Sequence, residues 1–160
     1  MMKVLFVCLG NICRSPTAHG VLEKQIKNHN LATQIQVDSC GTGSWHIGHA
    51  PDQRTLDAAS KRGYDLSHIR ARRLCAEDFQ TFDYILAMDT RNLADVIKNA
   101  PLNYPGKIQL LLDYSQEKSV LEVPDPYYGG EQGFDQVFHL VEEACASLLN
   151  HLTDKIYAQV

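Results

Sequence analysis

Apolar positions along this chain fall into two kinds of pattern. Four short stretches, Val4-Leu5-Phe6-Val7, Gln34 to Ser39, Asp83 to Met88 and Lys107 to Leu112, are continuous or alternating and read as strands. Between them apolar residues recur at helical spacing. Ala18, Val21, Leu22 and Ile26 form one stripe between Pro16 and His29, and Leu56 and Ala59 form another between Asp52 and Lys61, ahead of Gly63. A cap at Asp89 or Thr90 starts a third helix through Leu93, Val96 and Ile97, which stops before Pro101. Phe134, Val137, Phe138, Val141, Cys145, Leu148, Leu149 and Leu152 mark a long C-terminal helix. Strand and helix alternate, which predicts an α/β three-layer sandwich: a four-stranded parallel sheet with helices on both faces. Ligands of such sheets bind beyond the carboxyl ends of the strands.

Composition narrows the picture. A chain of 160 residues holds one sizeable core, so a single domain over 1–160 is expected. Fifteen Lys+Arg against nineteen Asp+Glu give a net charge of −4, which disfavours nucleic acid and anionic membranes as partners. Only a few residues separate Lys3 from Gly10, too few for a signal-peptide core or a membrane span, so the chain is expected in the cytoplasm. Five cysteines, an odd number, fit a reducing compartment better than a disulfide framework. Among the seven His, no pair at helical i, i+4 spacing has a third ligand near it, so no metal site and no cofactor are expected.

The chemistry concentrates in the loop after the first strand, Cys8-Leu9-Gly10-Asn11-Ile12-Cys13-Arg14-Ser15-Pro16. Pro16 sits where a helix starts, and a strand-loop-helix junction aims unpaired N–H groups and the positive end of a helix dipole at one point. That makes a phosphate loop between the first strand and the first helix. A thiolate at Cys8 is stabilised under converging amides, Ser15 Oγ is placed to donate to it, and the planar fork of Arg14 matches two phosphoryl oxygens.

At these residues the chain resembles the low-molecular-weight protein tyrosine phosphatases, whose signature is a cysteine, five residues, an arginine and Ser or Thr, with Gly-Asn inside. The resemblance implies hydrolysis of phosphotyrosine and small aryl phosphates through a phosphocysteine on Cys8. Leu9, Gly10, Asn11, Ile12, Cys13, Arg14 and Ser15 would bind the phosphoryl group. It also implies that Ser39 and His68 join Asn11 in a hydrogen-bond network bracing the loop, and that Asp89 and Asn92 match an Asp-x-x-Asn at a strand end, although a helix cap explains Asp89 as simply. Cys13 is either a small apolar filler or a partner that traps oxidised Cys8 as a disulfide.

A phosphate ester also needs an acid for its leaving group. Pro124-Asp125-Pro126-Tyr127-Tyr128 holds a carboxyl between two prolines in a stiff loop and matches the family's acid loop, which makes Asp125 the expected general acid and base. Trp45, in the glycine-rich stretch 40–51, is a cleft wall or a packing residue, and with Tyr127 and Tyr128 it would give aromatic walls for a phosphotyrosine ring. The three arginines in 64–73 read first as a solvated face and otherwise as a patch for an acidic partner. Two other activities are weighed. A thioredoxin-coupled arsenate reductase needs two relay cysteines, and Cys75 has no close partner. A protein arginine phosphatase carries threonine where this chain has Ile12. The implied partners are a phosphotyrosine protein as substrate, inorganic phosphate as product and, at family level, a tyrosine kinase.

Overall fold

The computed structural model describes residues 1–127 and 129–159. Its strands are β1 (Met2–Cys8), β2 (Ile35–Gly41), β3 (Tyr84–Ala87) and β4 (Lys107–Leu110). Its helices are α1 (Arg14–Asn28), α2 (Gln53–Lys61), α3 (Asp78–Thr81), α4 (Thr90–Asn99) and α5 (Glu131–Ala158). The sheet runs β2-β1-β3-β4, all neighbours parallel, with Cys8 opposite Gly41 and Val7 opposite Ala87. The carboxyl ends of β1, β2 and β3 therefore lie side by side.

Successive side chains of a strand point to opposite faces, and the core divides accordingly. Val4, Phe6 and Leu86 share one cluster with Ala18, Val21, Leu22 and Ile26 of α1 and with the apolar stripe of α5 from Phe134 to Leu152. Leu5, Val7 and Ile85 share the other with Phe79, Phe82 and Val96, from the α3–α4 side. Helices thus cover both faces, as the alternation of elements predicts.

Two local differences have plain causes. The apolar run 107–112 ends as a strand at Leu110, and Leu111–Tyr114 turn into a 3-10 helix in which Asp113 Oδ2 accepts from Leu110 N–H at 3.3 Å. Leu111 and Leu112 are buried either way, so periodicity does not separate the two conformations. The first helix opens at Arg14, two residues before Pro16, which still falls in the first turn where a missing N–H costs nothing.

Candidate active site

The loop between β1 and α1 closes on the Cys8 sulfur. Asn11 adopts a left-handed φ of 57°, and its N–H donates to Cys8 Sγ at 3.3 Å. A short polar residue tolerates that conformation where most side chains do not. Ser15 Oγ lies 3.0 Å from Cys8 Sγ and 3.2 Å from the Cys40 carbonyl. With the sulfur ionised, the serine proton points to it. Asn11 fixes the serine in turn, because its Nδ2 donates to Ser15 Oγ at 2.8 Å while its Oδ1 accepts from Arg72 N–H at 3.0 Å. Asn11 is fully buried, so every one of these bonds replaces a lost bond to water.

Arg14 is buried, and its Nη1 donates to Asp89 Oδ2 at 2.7 Å and to the Val123 carbonyl at 3.0 Å. Val123 N–H donates in turn to the Met88 carbonyl at the end of β3. The chain leading to Asp125 is thereby tied both to the sheet and to the arginine. Burial works against the Arg14 charge, but the negative charges of Cys8, then Asp89, then Asp125 outweigh it, and the guanidinium is held above its ordinary pKa. Asp125 Oδ2 stands 3.7 Å from Arg14 Nη2, and its Oδ1 accepts from Tyr127 N–H at 3.0 Å. Cys8, Leu9, Gly10, Ile12, Cys13 and Arg14 line one cleft of about 340 Å³ with Trp45, His46, Asp125 and Tyr127.

The sequence-predicted residues distribute unevenly around this cleft. Trp45 lines it with 69% of its surface exposed, and its ring lies over Gly43, whose hydrogen would become a Cβ only 2.0 Å from Cζ3. Tyr127 lines the cleft as well, with the Arg54 guanidinium 5.3 Å from its ring centre. Tyr128 lies outside the described residues. Burial, helped by the charges of Asp52, Cys8 and Asp125, pushes the Cys13 thiol up to about 12, so it stays protonated beside Cys8 at neutral pH.

The brace requires a correction. Ser39 Oγ meets Nδ1 of His19 at 3.0 Å, while His68 is half-exposed and faces Glu23 at 3.2 Å. His19 is buried on α1 against Ser39 of β2, whereas His68 stands in the segment joining α2 to α3, with its ring edge-on to that of His19 at 6.2 Å. The solvated-face expectation for 64–73 also fails at Arg72. Its guanidinium donates to Asp38 at 3.0 Å and to Asp78 at 2.9 Å, and its backbone holds Asn11. Asp89 caps α4 through Asn92 N–H, as the cap reading expects, and it also anchors Arg14, which the sequence did not disclose.

Sequence reasoning missed His19, His46 and the acidic partners of Arg72. Only His46 carried a signal, as the neighbour of Trp45 in a loop already assigned to the cleft. It packs over Gly10 and against Tyr127, with ring centres 6.3 Å apart.

Comparison with known proteins agrees with this geometry. The sequence model of the family described as low molecular weight phosphotyrosine protein phosphatase matches residues 3–158. The protein of that name from Schizosaccharomyces pombe is 44% identical over 138 residues, which is 86% of this chain and 88% of its own. The crystal structure of an Entamoeba histolytica protein tyrosine phosphatase with Hepes in its active site superposes with a TM-score of 0.93 at 43% identity, covering 97% of this chain and 99% of that one. A Drosophila arginine phosphatase superposes with a TM-score of 0.88 at 36% identity, covering 94% and 97%. With the family model spanning nearly all of its length, the chain belongs to the low-molecular-weight phosphotyrosine protein phosphatase family.

Proposed function

We propose that this chain hydrolyses protein phosphotyrosine in two displacements. Cys8 Sγ attacks phosphorus in line with the ester bond, forming S–P as P–O breaks, and Asp125 gives its proton to the departing phenolic oxygen. Water then attacks the phosphocysteine, Asp125 takes a proton from it, and inorganic phosphate leaves as the thiolate is restored. Arg14 and the loop amides hold the equatorial oxygens through both steps, which is where most of the barrier is lowered in phosphoryl transfer.

The observation that carries this reading is the meeting of a thiol, a guanidinium and a carboxyl on one cleft: Cys8, Arg14 and Asp125. Trp45 and Tyr127 favour an aryl phosphate, since a phosphoserine is too short to bring its phosphorus to the sulfur between aromatic walls. Ile12 argues against phosphoarginine. Arsenate reduction is disfavoured by the remaining thiols, because Cys40 and Cys145 are buried with pKa values raised by burial, and Cys75 alone is exposed. A redox function of the same site rests on the place of Cys13 in the phosphate loop, lining the cleft with Cys8, while its raised pKa slows it as a nucleophile. Peroxide oxidation of Cys8 to the sulfenic acid, followed by attack of the Cys13 thiol with loss of water, gives a disulfide that a reducing thiol reopens. Such recycling fits a reducing cytoplasm, and a tyrosine kinase fits as the source of the substrate.

The test is hydrolysis of p-nitrophenyl phosphate and of a phosphopeptide panel by wild type, Cys8→Ser and Asp125→Asn. Turnover should vanish in Cys8→Ser with phosphate binding retained, and fall about 10²–10⁴-fold in Asp125→Asn. Equal rates on phosphoserine and phosphotyrosine peptides would overturn the substrate assignment. An unchanged rate in Cys8→Ser would overturn the covalent mechanism.

A further inference from the structure

Outside the lining of the cleft, three residues with no part in the chemistry above converge. His19 and Glu23 stand one turn apart on α1, and His68 arrives from the segment between α2 and α3. Glu23 Oε2 lies 3.4 Å from His19 Nε2, and Glu23 Oε1 lies 3.2 Å from His68 Nε2. One donor atom from each of the three falls within 4.8 Å of the others. Zinc holds imidazole nitrogen and carboxylate oxygen at about 2.0–2.2 Å in a tetrahedron, which separates its donors by roughly 3.3–3.6 Å. The His19 separation falls on that edge, and the 3.2 Å separation of His68 lies just under it and to the other carboxylate oxygen, so a bound ion would draw both rings toward one oxygen of Glu23.

The most buried of the three is also the most constrained. His19 is 8% exposed, and its Nδ1 is engaged by Ser39 Oγ at 3.0 Å. When the serine accepts from Nδ1–H, the lone pair rests on Nε2, the nitrogen that faces Glu23. An outer hydrogen bond of this kind fixes ring orientation and tautomer in metal-binding histidines. The His68 ring stands at 85° to the His19 ring with centres 6.2 Å apart, so the two nitrogens approach Glu23 from different directions. Glu23 and His68 are exposed, which leaves a solvent route for an ion and a fourth position for water.

We propose that His19, Glu23 and His68 form a binding site for a divalent transition-metal ion of the zinc class. Two imidazoles and one carboxylate suit zinc and its neighbours rather than calcium or magnesium, which take oxygen ligands. The ion would join α1 to the 64–73 segment, the same segment whose Arg72 N–H holds Asn11 in the phosphate loop. Its first effect is therefore to stabilise the fold on the side that supports the loop.

The test is calorimetric titration with Zn²⁺ of a Cys8→Ser/Cys75→Ser background, which removes the nucleophilic and the exposed thiol as competing ligands. One ion per chain and a rise in melting temperature are expected. Glu23→Gln and His68→Asn are surface changes that keep the fold, and each should weaken binding by more than the roughly 10–100-fold that loss of an outer partner costs. His49→Asn, which removes one ring of the separate His46–His49 pair, should leave the affinity unchanged. Co²⁺ should give the visible bands of a tetrahedral centre in the background protein and lose them in Glu23→Gln/His68→Asn. Absence of saturable binding, or an isotherm that the double variant does not alter, overturns the assignment.

Discussion

Asp89 accepts from Arg14 Nη1 with one carboxylate oxygen, at 2.7 Å, and from Asn92 N–H with the other, also at 2.7 Å. The residue that starts α4 is thus the one that sets the pose of the phosphate-binding guanidinium. Asparagine caps a helix as well as aspartate does but carries no charge, so the two duties can be separated. Asp89→Asn should keep the unfolding free energy near that of wild type while lowering kcat/KM about tenfold or more through a displaced Arg14. Asp89→Ala should show the same kinetic loss together with about 0.5–2 kcal/mol of lost stability. Urea unfolding paired with steady-state kinetics on p-nitrophenyl phosphate makes the comparison. Wild-type kinetics in both variants would show that Arg14 keeps its pose without Asp89.

A parallel arrangement at α2 makes a pH prediction. Asp52 caps that helix through Arg54 N–H at 2.9 Å, takes two bonds from the Arg54 guanidinium, and donates its own N–H to the Ile12 carbonyl in the phosphate loop. The Arg54 side chain is the largest cause holding the Asp52 carboxyl below its ordinary 3.8. A carboxylate with a depressed folded pKa binds fewer protons folded than unfolded. Its contribution is therefore complete above about pH 4–5 and is lost as pH falls below 3.8 toward the folded value. The stability difference between wild type and Asp52→Asn should be flat from pH 7 to 5 and shrink between pH 4 and 3. Arg54 is 41% exposed in its side chain, so the difference should not exceed about 1 kcal/mol. A difference that grows on acidification contradicts the assignment.

What the sequence disclosed, and what it did not, follows from the range of the interactions. Cys8, Asn11, Arg14 and Ser15 were readable because strand, loop and helix start are contiguous, and contiguous spacing fixes geometry. Asp125 was readable because two prolines restrict its loop. The four strands and the long helix followed from periodicity, whereas α3, one turn long, falls below any window in which a period can be seen. Arg72 looked solvated because Asp38 and Asp78 become its partners only when β2 and α3 pack together. The choice between His19 and His68 at Ser39 turns on which face of α1 lies against β2, a matter of rotation that spacing alone leaves open.

That correction makes a prediction of its own. Replacing His19 by alanine leaves the buried Ser39 hydroxyl without its ring partner, at a cost of about 1–3 kcal/mol. His68 is half-exposed and faces an exposed glutamate and the edge of the His19 ring, so His68→Ala should stay within about 0.5 kcal/mol in the presence of a metal chelator. Equilibrium unfolding of the two variants in EDTA decides. Equal destabilisation would restore His68 as a brace.

One close approach in the site is between backbones, and it gives the sharpest substitution. Gly41 ends β2 opposite Cys8, and the phosphate loop crosses it so tightly that a Cβ there would lie 2.6 Å from Leu9 O, 3.1 Å from Gly10 C and 3.2 Å from Asn11 N. All three are main-chain atoms, so no side-chain rotation relieves the clash. The strand cannot retreat easily either, because Gly41 N–H donates to Arg72 O and Gly41 O accepts from Leu74 N–H. The strain must therefore move the loop amides that hold the phosphate. Gly41→Ala should lower kcat/KM about 100-fold, weaken inorganic phosphate as a competitive inhibitor, and lower the melting temperature. Gly63→Ala supplies the contrast. That residue follows α2 at a φ of 84° and does not line the cleft, so alanine there should cost about 1–2 kcal/mol of stability and leave the kinetics as they are. Matching kinetic losses in the two variants would mean that Gly41 acts through global stability, whereas a loss confined to Gly41→Ala traces the effect to the crossing of the loop over β2.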